Sequence, residues 1–328
     1  MNVALKYFAL CVAITFGLPS ISSVHAQDAG YPSRPIHIII PYAAGSPTDT
    51  YSRKISDVAQ KHLGVPLVIE NKPGATGVLG AAQIARSKPD GYSLLISSSE
   101  PFIASTITIK SVPYDSMKDF RFITKLFAST PVLVINASNN IKNLAELITQ
   151  AKLKPITYGS FGPGSFHQLS IEEFAKQAGI KLQEIPYRSP VQVPLAVLSN
   201  EVALGYTAPA QAVDQIKEGR IRALAVIGPR RVPLLPDVPT FEEDGFDAPV
   251  LRTPLWIGVI GPAKLPEAVV TRIYEAFHRA LQDQEIQQFF GRLNNQLLGN
   301  EPHDFDREIR EEYAQVIPLL KSRNISSD

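Results

Sequence analysis

The sequence predicts a two-domain α/β protein in which each domain is a mostly parallel sheet flanked by helices. Three observations lead there. Short apolar runs of strand length alternate with segments of helical period through most of the chain. The alternation breaks off near residues 127–131 and then starts again, so there are two α/β series rather than one. The 328 residues, 45% of them hydrophobic, also exceed what a single core usually organises.

The continuous apolar run Ile36 to Ile40, closed by Pro41, suits a strand covered on both faces. A helical pattern from Thr50 to Leu63 stops at Gly64, and a strand follows from Leu67 to Glu70. The turn through Pro73 and Gly74 leads into a helix from Leu79 to Arg86. Pro89-Asp90-Gly91 then turns the chain into a strand from Tyr92 to Ser97. This β-α-β-α-β rhythm requires parallel strands with right-handed crossovers. Phe122 to Phe127 and Val132 to Ile135 read as strands on either side of Ser129-Thr130-Pro131. The second series has helices at 144–152, 166–177, 190–198 and 210–217, with strands at 156–158, 182–185, 202–206 and 221–226. Gly179 ends its second helix. A strand at 256–260 and helices at 266–281, 283–293 and 304–320 complete the chain. Residues 27–128 and 250–328 are therefore expected to form one domain, and residues 129–249 an inserted second one. Two crossing strands would serve as hinge, with a ligand cleft between the domains.

Lys6, the apolar run Tyr7 to Leu18 and the small-residue ending Val24-His25-Ala26 read as an export signal over residues 1–26, placing the mature chain in the periplasm. The run is too short for a permanent membrane span. Cys11, the sole cysteine, lies inside it, so the mature chain has neither disulfide nor thiol chemistry. A net charge of +1 without a basic stripe argues against nucleic acid as a partner. The six histidines are scattered without ligand spacing, and no phosphate-cradling glycine motif occurs, so neither metal nor cofactor is expected.

Two loops share one design. Pro41-Tyr42-Ala43-Ala44-Gly45-Ser46-Pro47-Thr48-Asp49 and Tyr158-Gly159-Ser160-Phe161-Gly162-Pro163-Gly164-Ser165-Phe166-His167 each follow a strand, pass through glycine and open a helix. Free backbone N–H groups and the positive end of a helix dipole make such loops anion sites. Two of them suggest opposite jaws around one ligand. In the first jaw, Thr48 or Asp49 is expected to cap the helix, and Ser46 could replace the amide that Pro47 lacks. In the second, Ser165 is expected to cap and His167 to occupy the first turn. Ser165 and His167 also admit a serine-hydrolase reading, which lacks a third, orienting residue.

Ordered strings along the chain resemble the Bug, or TctC-like, family of extracytoplasmic receptors of tripartite tricarboxylate transporters. They are Tyr31-Pro32-Ser33-Arg34-Pro35, the first loop, Glu70-Asn71-Lys72-Pro73-Gly74-Ala75, Pro89-Asp90-Gly91-Tyr92 and Val112-Pro113-Tyr114-Asp115, followed by Gly164-Ser165 with His167, Pro186-Tyr187-Arg188, Arg222-Ala223-Leu224-Ala225-Val226 and Leu235-Pro236-Asp237-Val238-Pro239-Thr240. The resemblance implies a periplasmic Venus-flytrap fold that closes on a small carboxylate and delivers it to membrane transporter subunits, not an enzyme. A receptor serving a sensor kinase would use the same surface. Ligand contacts are expected from Tyr42, Ala44, Ser46, Thr48, Asp49, Ser98, Ser99, Ser160, Phe161, Gly164, Ser165, His167, Arg188 and Thr207, in a monomer. The chain departs from the family at Ser46-Pro47 and at Thr207, where many members carry an acid. Losing that acid disfavours an amino-acid ligand, and together with Phe161, Phe166 and Arg188 it points to an aromatic or dicarboxylic one.

Overall fold

The computed structural model describes residues 30–162, 164–187, 191–293 and 295–321. The expected export signal and Arg188 lie outside the described residues.

Strand β1 (Ile36–Ile40) leads to helix α1 (Pro47–Leu63), β2 (Leu67–Asn71), α2 (Val78–Ala85), β3 (Ser93–Ser98), the single-turn α3 (Ser105–Thr108) and the long β4 (Phe120–Ser129). The chain then enters a second sheet with β5 (Val132–Asn136), α4 (Leu144–Ala151), β6 (Ile156–Ser160), α5 (Phe166–Ala178), β7 (Leu182–Pro186), α6 (Gln192–Leu198), β8 (Leu204–Thr207), α7 (Pro209–Lys217) and β9 (Ile221–Val226). It returns through α8 (Pro249–Arg252) to β10 (Leu255–Pro262), α9 (Glu267–Leu281), α10 (Gln284–Leu293), β11 (Gln296–Leu297) and α11 (Pro302–Lys321). The first sheet has the order β11-β4-β10-β3-β1-β2, the second β7-β6-β8-β5-β9. Both are mixed. β1 lies parallel between β2 and β3, and β6 lies parallel between β7 and β8, whereas β10 and β5 run antiparallel to their neighbours.

Each sheet has its own core. Ile39, Leu95, Phe102, Phe122, Trp256 and Phe305 pack in the first lobe, and Leu133, Leu147, Tyr158, Phe174 and Phe241 in the second. The apolar β1 run is central and buried, apart from the outward His37. Helix α1 buries Tyr51, Ile55, Val58, Ala59 and Leu63, the spacing of one helical face. Several of the family strings are scaffold. Arg34 stacks 3.7 Å above the Tyr92 ring and pairs with Asp90, which fastens the chain's entry to the β3 turn.

One expectation is corrected here. Helix α1 begins at Pro47, three residues before the expected start, and its cap is Ser46 rather than Thr48 or Asp49. Proline at the first helical position needs no N–H partner and has its φ preset, so it extends the helix backwards. The Ser46 hydroxyl accepts the Asp49 N–H at 3.3 Å, which caps the helix and leaves its O–H free to donate.

Candidate ligand site

Ligands of open α/β sheets collect at the C-terminal ends of parallel strands. In this chain those ends converge from both sheets. Tyr42 follows β1, Ser98 ends β3 and Glu100 comes two residues later, while Phe161 follows β6 and Tyr206-Thr207 end β8. All of them line one cavity of about 280 Å³. Phe127, Leu195, Leu198, Leu255 and Ile257 extend its apolar wall, and Thr48, Gln211 and Gln215 add polar groups.

The first jaw is braced by Asp49. Its buried carboxylate accepts the Gly45 N–H, the Arg53 Nε–H and an Asn71 amide hydrogen, each at 2.8 Å. Asn71 also donates to the Tyr42 carbonyl at 3.0 Å, tying β2 to the loop. Asp49 therefore shapes the loop and does not line the cavity. Replacing it with alanine is expected to cost about 2 kcal/mol or more, because charge-assisted bonds to a buried carboxylate are lost together. Chemical denaturation measures this, and an unchanged midpoint would refute the bracing role.

The second jaw is braced in the same way. Ser165 caps α5 by accepting the Gln168 N–H at 3.3 Å, and the Gln168 side-chain oxygen accepts the Gly164 N–H at 2.8 Å. The Ser160 hydroxyl accepts the Gly162 N–H at 2.9 Å and donates to Glu184, which also receives the Gln168 amide at 3.0 Å. Ser160, Gly164 and Ser165 thus hold the loop from behind. The first amide of α5, at Phe166, donates to Glu100 Oε1 at 2.8 Å. An acid from the first lobe therefore sits at the helix end that the sequence suggested for a ligand anion. Among the described residues, the amides left without an acceptor in the two first turns are those of Thr48 and His167, both cavity-lining.

Burial dominates the electrostatics. It raises the Glu100 carboxyl above the usual range, although the Phe166 N–H and the Ser98 hydroxyl act against it. Burial also raises the Tyr42 hydroxyl, with the nearby Glu100 charge adding to the effect. Burial holds His167 down at about 3, so its imidazole is neutral. Among the described residues its Nδ1 has no partner and Ser165 is engaged with the Gln168 N–H, so no serine–histidine pair forms there.

Of the residues expected from the sequence, Tyr42, Ser46, Thr48, Ser98, Phe161, His167 and Thr207 line the cavity. Ala44 is exposed beside it. Ser99 faces a second cavity of about 40 Å³ behind Glu100. Sequence reasoning missed Tyr51, Tyr206, Gln211 and Gln215. Tyr206 was within reach of the strand-end rule, and the two glutamines sit at i, i+4 on α7.

Residues 51–325 match the family model described as "Tripartite tricarboxylate transporter family receptor", TctC. The chain belongs to the TctC family. A TctC relative from Cupriavidus necator, the "UPF0065 protein in gbd 5'region", is 35% identical over 258 residues, covering 78% of this chain and 77% of the relative. The periplasmic binding protein BugD superposes with a TM-score of 0.82 at 28% identity, over 90% of this chain and all of that one. MatC of Rhodopseudomonas palustris with bound malate gives 0.79 at 25% identity, over 88% and 100% of the two chains. An adipate-bound R. palustris protein gives 0.81 at 25%, over 89% and 98%. TctC proteins are solute-binding receptors rather than enzymes, with the two-domain fold of periplasmic binding proteins. Among the described residues, no helix is long and apolar enough to cross a membrane.

Proposed function

We propose that this TctC protein is an exported receptor. It captures a small organic carboxylate in the cavity between its two sheets and delivers it to the membrane subunits of a tripartite tricarboxylate-type transporter. The observation that carries the reading is the convergence of parallel strand ends from both sheets on one cavity, faced by the free first-turn amides of α1 and α5. The malate and adipate of the two R. palustris structures support a carboxylate as the ligand. In this reading residues 1–26 are the export signal and the mature chain is a monomer. Residues 27–128 with 250–328 form one jaw and residues 129–249 the other, and ligand binding favours their closure. Thr48 supplies its N–H and hydroxyl to the carboxylate, with Ser98, His167 and Thr207 around it and Arg188 added by family resemblance.

A thermal-shift and calorimetric screen of mono- and dicarboxylates tests this. A ligand at a hundredfold excess over its Kd stabilises the folded state by about 2.7 kcal/mol, which moves the melting temperature by roughly 5–10 °C. If no carboxylate shifts the melt while a sugar or a cation does, the proposal fails.

A further inference from the structure

Glu100 is only 4% exposed, yet it lines the ligand cavity. Its Oε1 takes the Phe166 N–H at 2.8 Å, and its Oε2 takes the Ser98 hydroxyl at 3.2 Å. The positive end of α5 and these two donors stabilise the anion against the burial that raises this carboxyl, and raising the pH favours the anion further. We propose that Glu100 reserves the α5 terminus for the protein itself, so that the receptor selects ligands with one carboxylate and an apolar body and rejects linear dicarboxylates. The inference rests on the carboxylate-receptor reading above and narrows its ligand.

Three features beyond the Phe166 contact support it. The remaining first-turn amide of α5, at His167, lies one residue from the amide that Glu100 holds, so a second ligand carboxylate bound there would face a charge of its own sign. The hydroxyl chain around Glu100 is also directional. Ser98 donates to the carboxylate, so its oxygen accepts from the Tyr42 hydroxyl, while the Tyr42 oxygen accepts the Ser98 N–H at 3.3 Å; the Tyr42 proton is thus engaged within the protein rather than offered to a ligand. The Tyr42 hydroxyl is thereby withdrawn as a donor, which leaves the Thr48 N–H as the donor of the α1 terminus. Lastly, Phe127, Phe161, Leu195, Leu198, Leu255 and Ile257 offer apolar surface to the rest of the ligand.

Hexanoate and adipate form a matched pair, since one ends in a methyl group where the other ends in a second carboxylate. 3-Phenylpropanoate adds an aromatic body. Calorimetry at pH 8 on the full mature chain is expected to show hexanoate and 3-phenylpropanoate binding at least about tenfold tighter than adipate or malate, the order that like-charge repulsion at contact range produces. Glu100→Gln retains an acceptor for Phe166 and a partner for Ser98 while removing the charge. It is expected to raise the ratio of adipate to hexanoate affinity about tenfold. Adipate binding the wild-type protein as tightly as hexanoate overturns the inference while leaving the receptor function intact. So does an unchanged adipate-to-hexanoate ratio in Glu100→Gln. The wild-type ratio decides the matter on its own if that variant does not fold. Absence of binding by every carboxylate overturns the receptor reading, and this inference with it.

Discussion

Gly164→Ala is expected to lower the melting temperature by roughly 5–10 °C and to weaken ligand binding at least tenfold. Gly164 has φ +77°, a conformation that costs an L-residue about 1–2 kcal/mol. The added methyl group would also lie 2.0 Å from Thr108 Oγ1 and 2.9 Å from its Cβ. Thr108 is fully buried in α3, which follows β3 of the first sheet, so it cannot swing aside. Overpacking of this kind typically costs about 1–3 kcal/mol on top of the backbone strain. The contact joins the second jaw's loop to the first lobe beside the cavity, so strain there separates the two sides of the ligand site. Thermal melts and calorimetry measure both effects. A Gly164→Ala, Thr108→Ala double variant should recover part of each, because the two changes share one contact. Strictly additive losses would show that the jaws do not meet at this point.

The second large effect is acid sensitivity through His167. Its ring lies against Phe161, Phe166 and Tyr206, with centroids 4.1, 5.9 and 5.2 Å away. Unfolded, the imidazole takes a proton near pH 6.5, whereas in the folded protein burial delays this to about 3. The stabilisation is therefore fully present above 6.5 and is lost as pH falls towards 3, at up to about 1.4 kcal/mol per pH unit. By pH 5 the loss reaches roughly 2 kcal/mol, or 4–8 °C in melting temperature. Glu100 acts in the opposite sense. Its raised carboxyl favours the fold at low pH, and that contribution fades as pH rises through the raised value. His167→Phe keeps the aromatic packing and leaves Glu100 in place, so the difference between the two stability–pH curves isolates His167. Parallel curves between pH 7 and 5 would rule out a buried neutral imidazole.

The strand positions were legible because burial on both faces leaves its mark on residue type. Ile36–Ile40 and Val132–Ile135 read as apolar runs and are strands flanked on both sides. Both loops were legible for a similar reason, since glycine and a capping hydroxyl before a helical period reflect local backbone needs. Elements held only by distant partners left no such mark. Helix α3, the short α8 and the two-residue β11, which pairs with β4, have no periodic pattern of their own. The antiparallel placement of β10 between β3 and β4 is likewise a long-range outcome.

By itself the sequence determined the α/β class, the two loop–helix jaws and the family, because each depends on residue types at fixed short spacing or in fixed order. Only the tertiary structure decided what fills those jaws. Asp49 and Gln168 take amides of their own loops, and Glu100 reaches from the end of β3 to the start of α5, 66 residues further along the chain. The physical reason is that an unsatisfied N–H at a buried helix end takes the nearest acceptor in space, and spatial nearness is set by how the two sheets meet. A pair of generic anion sites thereby became one open jaw at Thr48 and one jaw already holding a carboxylate of the protein's own.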